Sequence, residues 1–574
     1  MESKKSFNLL WPEGFQSSET PLARDLRQKL IEDLDLKNIF RIMNLNLRTT
    51  SDTFDPGDVL DKFTTESEVI KYRLEILEDI LDNPDLYQTL ENLLPKIEEM
   101  GRLSFSQSSN TSRLKKVVTQ IGKLELFVEG IESIKKFFSG AEKKIKSRGL
   151  SNFKAKVKEI TSQELYQSLK KELPKMKKQF EGLKSVTLGI NLDAQLRPQE
   201  AVLVSINDQV YQEGNILDKL LNRDSGVNNF KGISSLEVVS RDINGEQVRF
   251  LNRSLMQELE KVMKSVIRSV GPKVTKYMKN NTRFLINLKP ALRFYLGAVK
   301  LVEKIESLGL PMCKPEIAPR KKRALKIENN YNLNLALQLA GNESEIKKLV
   351  KNEVDFKEQG RVYILTGPNR GGKTTYLQAV GISQLLFQLG LYVPGSQAYI
   401  SPCDNILTHF PTEERLKSNL GRLGEECNRL KNIFNQASKY SLILLNESLA
   451  STSPREGLYI ANEIISSLKI LGARVIFVTH FHELATDLEE INSEIPGAAQ
   501  IKSLVAGVKE KEDGFPERTY KIKQRKPLGS SYARNIADNL GISIEKITTN
   551  LKEKGKISSE IDVEDIKQDT GNKD

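Results

Sequence analysis

Cysteine is scarce. Cys313, Cys403 and Cys427 are the only three in 574 residues. They are too few and too scattered for a disulfide framework or a zinc site, and a reducing, intracellular compartment is the expectation. Long apolar runs are missing too. No stretch of 18 apolar residues occurs, so no membrane span is predicted. The opening Met1-Glu2-Ser3-Lys4-Lys5-Ser6 leads into no apolar core of the signal-peptide kind. No internal repeat is found. With 39% apolar and 28% charged residues, the composition suits a helix-rich chain with long exposed helices rather than one compact globule. At 574 residues it exceeds what a single core supports, so three or more structural units are expected.

Charge is present but unevenly placed. The net charge is +12, and the segment from Ser112 to Val186 holds 19 Lys and Arg against 8 Asp and Glu, giving +11 in that stretch alone. Such asymmetry fits a polyanion partner. It also fits a solvated face of lysine-rich helices, and both readings stay open.

Hydrophobic spacing divides the chain. Ile70, Leu74, Leu77 and Leu81 recur at helical steps, and Asn83-Pro84 interrupts them. Leu114, Val117, Val118, Ile121, Leu124 and Phe127 predict a long amphipathic helix, with turns at Gly140 and at Arg148-Gly149. Val202 to Ile206 and Leu236 to Val239 favour short strands, and Asn244-Gly245 signals a turn. Helical spacing returns from Ser254 to about Leu308. Pro311, Pro315 and Pro319 suggest a linker. Alternating strands and helices then run to about Ser543, the pattern of an α/β domain.

The motif that carries chemistry is Thr366-Gly367-Pro368-Asn369-Arg370-Gly371-Gly372-Lys373-Thr374-Thr375, directly after the apolar run Val362 to Leu365. It contains Gly-x4-Gly-Lys-Thr between a strand and a helix, the Walker A pattern in its required context. Polyphosphate needs several backbone N–H groups aimed at it, and glycine permits the tight turn that supplies them. The following helix adds its positive N-terminal end. Lys373 is expected to reach the β- and γ-phosphates of ATP, and Thr374 to hold Mg²⁺. A second buried-strand run, Leu442 to Leu445, ends in Asn446-Glu447, the Walker B position. Glu447 is the expected residue for polarising water. Asn446 stands where an Asp would bind magnesium-coordinated water, and it brings no charge. A third strand, Arg474 to Val478, ends at Thr479-His480, where a His can contact the γ-phosphate. His482 reads as structural, and His409 carries no assigned role.

These motifs, with Leu391-Tyr392-Val393-Pro394, Ser451-Thr452-Ser453 and Val478-Thr479-His480-Phe481 in the same order, resemble the ATPase domain of the MutS family of DNA mismatch-repair proteins. The likeness is strong over about residues 355–545. Leu528 to Ala533 and Ile536-Ala537 are similar to the family's C-terminal helical dimerisation element. Weaker likeness covers Asp58 to Ile97 and Phe284 to Pro315.

The resemblance implies a multidomain fold: an all-α lever and core region with a small β-rich insertion, an α/β ABC-type P-loop ATPase domain, and a small C-terminal helical element. The expected boundaries are 1–111 for a helical core, 112–185 for basic lever helices, 186–250 for a clamp-like insertion and 251–325 for returning levers and linker. They continue as 326–527 for the ATPase, 528–552 for the dimerisation element and 553–574 for a disordered tail. The resemblance also implies ATP and Mg²⁺ as cofactors, a homodimer, DNA that is mismatched, branched or otherwise distorted as partner, no membrane, and a cytoplasmic place. In the family two subunits sandwich ATP, and the helix from the second subunit would begin within Ser418 to Glu426, where Gly421-Arg422-Leu423-Gly424 departs from the usual sequence. Ser451 and Thr452 would lie at the dimer seam. Tyr331 is either a stacker for the adenine ring or a core tyrosine.

The family's mismatch-wedging domain and nuclease domain are expected to be missing. Phe127-Val128-Glu129 has the letters of the wedge motif, but Phe127 falls on the apolar stripe and reads as core. A branched or distorted duplex is therefore a stronger expectation than a mispair. The alternative is a scaffold ATPase of the same fold that does not recognise DNA, or a nucleotide-binding switch that hydrolyses poorly.

Overall fold

The structure is a computed structural model. It describes residues 7–15, 24–43, 57–105, 112–140, 145–180, 184–196, 198–210, 234–236, 255, 257–278, 282–356, 360–411, 421–449, 453–486, 488–497, 499–510, 516–527, 541–542 and 544–557. Two compact units share the chain. One comprises Met1–Leu9 and Asp79–Leu296, the other Leu10–Glu78 and Gly297–Asp574. Helices and sheets build both, an antiparallel sheet in the first and mixed sheets in the second, so the chain is multidomain. Among the described residues no helix is long and apolar enough to cross a membrane.

The first unit is mainly helical. Its longest element, Arg113–Gly140, buries Leu114, Val117, Ile121, Leu124, Phe127, Ile131, Ile134 and Phe138, a stripe at three- and four-residue steps. Val118, assigned to that stripe from spacing, is exposed instead. Phe127 packs edge-on against Tyr166 with ring centroids 6.2 Å apart, the core role expected of it. Gly130 permits close helix packing: a Cβ there would meet Leu93 at 2.9 Å and Leu285 at 3.0 Å.

The Arg148-Gly149 pair is not a turn. It opens the helix Arg148–Ser162, whose N-terminus Ser147 caps by accepting a hydrogen bond from Leu150 N. A serine cap outweighs the glycine as a local signal here. Strands Ser185–Leu192 and Pro198–Asn207 pair antiparallel, and Ser234–Leu236 adds to the second. Residues 237–239 and Asn244-Gly245 lie outside the described residues.

The second unit is α/β. Its main sheet has six strands in the order Ile406–His409, Leu442–Asn446, Arg474–Val478, Gly360–Thr366, Gln500–Glu510, Pro516–Gln524. The first five are parallel, and Pro516–Gln524 returns antiparallel as a hairpin partner. Leu442–Asn446 and Arg474–Val478 are buried along their whole length, as near-continuous apolar runs covered on both faces must be. The carboxyl ends of the three central strands therefore converge on one edge, where Thr366, Asn446 and Val478 stand. A second, four-stranded sheet runs Glu316–Ile317, Gln397–Ile400, Leu325–Asn330, Asn352–Phe356. The proline-rich stretch expected as a linker instead supplies strands: Met312–Cys313 pairs with Val393–Pro394, and Glu316–Ile317 pairs with Gln397–Ile400. Its prolines flank the paired residues, where no ladder N–H is needed.

One buried cation ties this unit together. Arg73, on the helix Ser67–Leu81, is fully buried and donates to Leu10 O at 2.9 Å, to Leu389 O at 3.2 Å and to Lys62 O. Its guanidinium lies 4.4 Å from the Trp11 ring centroid, a cation–π contact. Leu389 ends the helix Lys373–Leu389, so a positive charge meets that helix's negative end. Gly390 follows in a left-handed conformation, and a Cβ there would meet Arg73 at 2.5 Å.

Candidate nucleotide site

The loop after strand Gly360–Thr366 turns through three left-handed residues, Gly367 at φ +134°, Arg370 at +59° and Gly372 at +88°. A Cβ at Gly367 would sit 2.8 Å from the Ala506 side chain, and one at Gly371 would sit 2.8 Å from Pro368 O. Both glycines are thus required by close approach. Gly371 N closes the turn on Pro368 O at 3.0 Å. The helix Lys373–Leu389 starts directly behind it, with Gly372 at its N-cap. This leaves the first N–H groups of the helix and its positive end facing the loop.

Lys373 is buried, and its Nζ donates to Gly367 O at 2.9 Å and Pro368 O at 3.1 Å. Burial holds its ammonium below the usual lysine range, while the Glu447 carboxylate opposes that shift. Thr374 Oγ1 donates to Asn446 Oδ1 at 3.2 Å. Two uncharged oxygens thereby stand together, hard donors of the type magnesium takes, without a carboxylate between them. They fit the ion as ligands to it or to its water.

Glu447 leaves its strand in a left-handed conformation, φ +48°, and Leu449 follows at +70°. Such values cost a side-chain-bearing residue on the order of 1 kcal/mol each, and they persist only where the surroundings hold them. Glu447 N donates to Val478 O at 2.9 Å. The turn points the carboxylate toward His480, whose Nε2 lies 3.0 Å from Oε1. The His480 hydrogen bond holds the Glu447 carboxyl below the usual carboxylate range, against the opposing effect of burial, and Lys373 adds to it.

These groups meet at a cavity of about 600 Å³. Arg370, Gly371, Gly372, Lys373, Thr374, Thr375, Glu447 and Tyr331 all line it. Asn446 reaches it through Thr374, and His480 through Glu447. Gly367 and Pro368 contribute the carbonyls that receive Lys373, and Asn369 is exposed at the loop tip. Tyr331 stands in the wall with 1% of its surface exposed, its hydroxyl donating to Pro311 O at 2.9 Å. His482 stands in a short 3-10 turn at His482–Ala485. Ser451, Thr452 and residues 418–420 lie outside the described residues.

Two features escaped the sequence. Tyr520 also lines the cavity, 46% exposed and left-handed at φ +54°, with its ring against Gly372. Asn352 fixes it there: Asn352 Nδ2 donates to Tyr520 O at 3.1 Å, and Ile522 N donates to Asn352 Oδ1 at 2.8 Å. His409, given no role from sequence, is buried at the end of strand Ile406–His409, and its Nδ1 lies 2.8 Å from Ser448 Oγ. Burial, with the positive charges of Arg429 and Lys29, pushes its imidazole down to about 3. No local pattern announces either, because the partners are far apart along the chain.

Comparison with known families gives two matches: residues 65–308 match the MutS2 N-terminal domain, and residues 363–554 match MutS domain V. Among curated proteins, the DNA mismatch repair protein MutS of Halothermothrix orenii is 36% identical over 211 residues, 35% of this chain and 22% of that protein. The protein of the same name from Microcystis aeruginosa is 24% identical over 497 residues, 81% of this chain and 54% of its own length. That of Clostridium tetani is 22% identical over 550 residues, 87% and 57% respectively. The matched region thus spans little more than half of these relatives at most.

Proposed function

Because this chain belongs to the MutS family, we propose that it binds and hydrolyses ATP and works as a homodimeric clamp on DNA that is mismatched, branched or otherwise distorted. The observation that carries the ATPase reading is the meeting of Lys373, Thr374 and Glu447 at one cavity behind a glycine-built loop. The loop N–H groups and helix N-terminus receive the phosphates of an ATP-type substrate, and Lys373 exchanges its carbonyl partners for phosphate oxygens. Thr374 and Asn446 would hold magnesium, which when bound neutralises charge on the phosphates. Glu447 accepts a hydrogen bond from the attacking water and orients it, and His480 keeps that carboxylate ionised and aimed. Two copies would close on the substrate, with the helix Gly421–Gln436 of one reaching the site of the other. Slow, DNA-modulated turnover in the cytoplasm is the expected setting. The domain boundaries stated from sequence remain part of this proposal.

The DNA reading rests on charge. On the basic helices, Glu125, Glu132, Glu159 and Glu172 are engaged by Lys177, Lys170, Lys156 and Lys175. Lys115, Lys135, Lys136, Lys158, Lys171 and Lys178 are exposed. Such lysines contact phosphates, which gives salt-sensitive binding with little sequence preference.

Two measurements test the proposal. Steady-state ATP turnover of the parent and of Glu447→Gln must differ by about a hundredfold or more if Glu447 orients the water. A mobility-shift comparison of duplex, mismatched and four-way-junction DNA, with and without ATP, tests the partner. Absence of binding to all three DNAs would replace the clamp with the scaffold reading.

A further inference from the structure

We propose that His409 is a positioning residue for Glu447, acting through its hydrogen bond to Ser448. The inference rests on the reading of Glu447 as the residue that orients water. Its starting point is the strained turn. Glu447 and Leu449 both carry side chains and both adopt positive φ, so residues 447–449 do not hold this shape unaided. Two bonds hold it. One is Glu447 N to Val478 O, which fixes the start of the turn to the neighbouring strand. The other is His409 to Ser448, which fixes its middle to the strand on the opposite side, where His409 pairs with Leu445. Strands on both flanks thus clamp the peptide that carries the carboxylate.

The chemistry of the imidazole agrees with a holding role. His409 Nε2 is buried and has no hydrogen-bond partner among the described residues. A proton there would leave a buried donor unsatisfied, so the proton belongs on Nδ1, donated to Ser448 Oγ. The bare Nε2 lone pair then faces an environment made positive by Arg429 and Lys29, which favours a lone pair and disfavours a second proton. The ring is therefore a fixed neutral donor. Arg429 belongs to the helix Gly421–Gln436, the element proposed to reach across to the second copy. His409 thus stands between that helix and the turn of Glu447, and is not among the residues lining the nucleotide cavity.

The test uses the full chain. His409→Ala and Ser448→Ala are each expected to lower kcat for ATP about tenfold or more, with nucleotide Kd within about twofold of the parent. The unchanged Kd establishes that the variants fold. The double variant loses no more than either single one, since both remove the same bond. His409→Asn, whose Nδ2 replaces Nδ1 as donor, restores most of the rate.

A second readout needs no turnover. The chain has three histidines, so ¹⁵N-histidine labelling gives three sets of ring signals. The His480 ring, 3.0 Å from Glu447 Oε1, reports where that carboxylate stands. Its signals shift in His409→Ala and Ser448→Ala and stay in place in His409→Asn. Unchanged kcat in His409→Ala, additive losses in the double variant, or a His480 ring that does not respond would each overturn the inference. Equal turnover in the parent and Glu447→Gln defeats the role given to Glu447 instead, while the ring signals still decide whether His409 holds its side chain.

Discussion

His480 Nε2 and Glu447 Oε1 meet at 3.0 Å from the ends of two adjacent parallel strands, whose last paired residues are Asn446 and Val478. The pair sets the charge state of the site. Glu447 keeps its negative charge to lower pH than an ordinary glutamate, chiefly through the His480 bond. Removing the ring, as in His480→Ala, lets the carboxyl rise toward its ordinary value. The carboxylate is then protonated at higher pH, so the acid limb of the kcat profile moves up the pH scale. The sign follows for stability too: the pair's contribution is present above the ordinary glutamate range and is lost as pH falls through the depressed value. A pH–rate profile of the two proteins checks it; an acid limb that stays in place removes His480 from this role.

Asn446 brings an oxygen but no charge beside Thr374. Asn446→Asp is expected to tighten magnesium activation of ATP turnover by about tenfold, the scale on which ligand-supporting groups change metal affinity. Titrating magnesium at saturating ATP measures it. An unchanged midpoint means that residue 446 does not face the metal.

Tyr520 and Tyr331 separate cleanly. Tyr520 is half exposed at the cavity rim, so Tyr520→Ala is expected to weaken nucleotide binding by about 1 kcal/mol, roughly fivefold, if its ring stacks on the base. Tyr331 commits its hydroxyl to Pro311 O. Tyr331→Phe is expected to lower stability by about 1 kcal/mol while leaving nucleotide affinity alone. Calorimetry with ADP, paired with denaturant midpoints, distinguishes the two. An ADP affinity unchanged in Tyr520→Ala would mean that the Tyr520 ring does not stack on the base.

The exposed lysines predict a salt slope. Neutralising Lys135, Lys136 and Lys171 together is expected to flatten the dependence of log affinity for DNA on log salt. The slope falls by roughly 0.9 for each phosphate that a lysine no longer neutralises, about 3 if all three lysines serve one phosphate each. The weakening should be similar across sequences. A slope that does not change would mean these helices merely face solvent.

The glycine loop was legible in the sequence because its physics is local: a strand, a glycine turn and a helix start within fifteen or so residues, each with its own signature. The strand ends carrying Asn446, Glu447 and His480 were legible for the same reason, as apolar runs that stop at polar residues. What stayed hidden depends on contacts between distant segments. Nothing near Asn352 announces that its amide will pin residue 520, and nothing near His409 announces Ser448. The short strands around Pro311 to Pro319 were hidden as well, because two-residue pairings to Val393 and Gln397 leave no periodicity to read. The serine cap at Ser147 was readable in principle, and the neighbouring glycine masked it.

The guanidinium of Arg73 touches the far end of the very helix whose near end would meet phosphate. That helix has 17 residues, a strut of about 25 Å. At its far end the carbonyl of Leu389 shares the Arg73 guanidinium with the carbonyls of Lys62 and Leu10, so one cation joins the end of this helix to both early segments. If a triphosphate binds at that near end, its arrival or departure would be felt in the early segment of the polypeptide, some three hundred positions upstream.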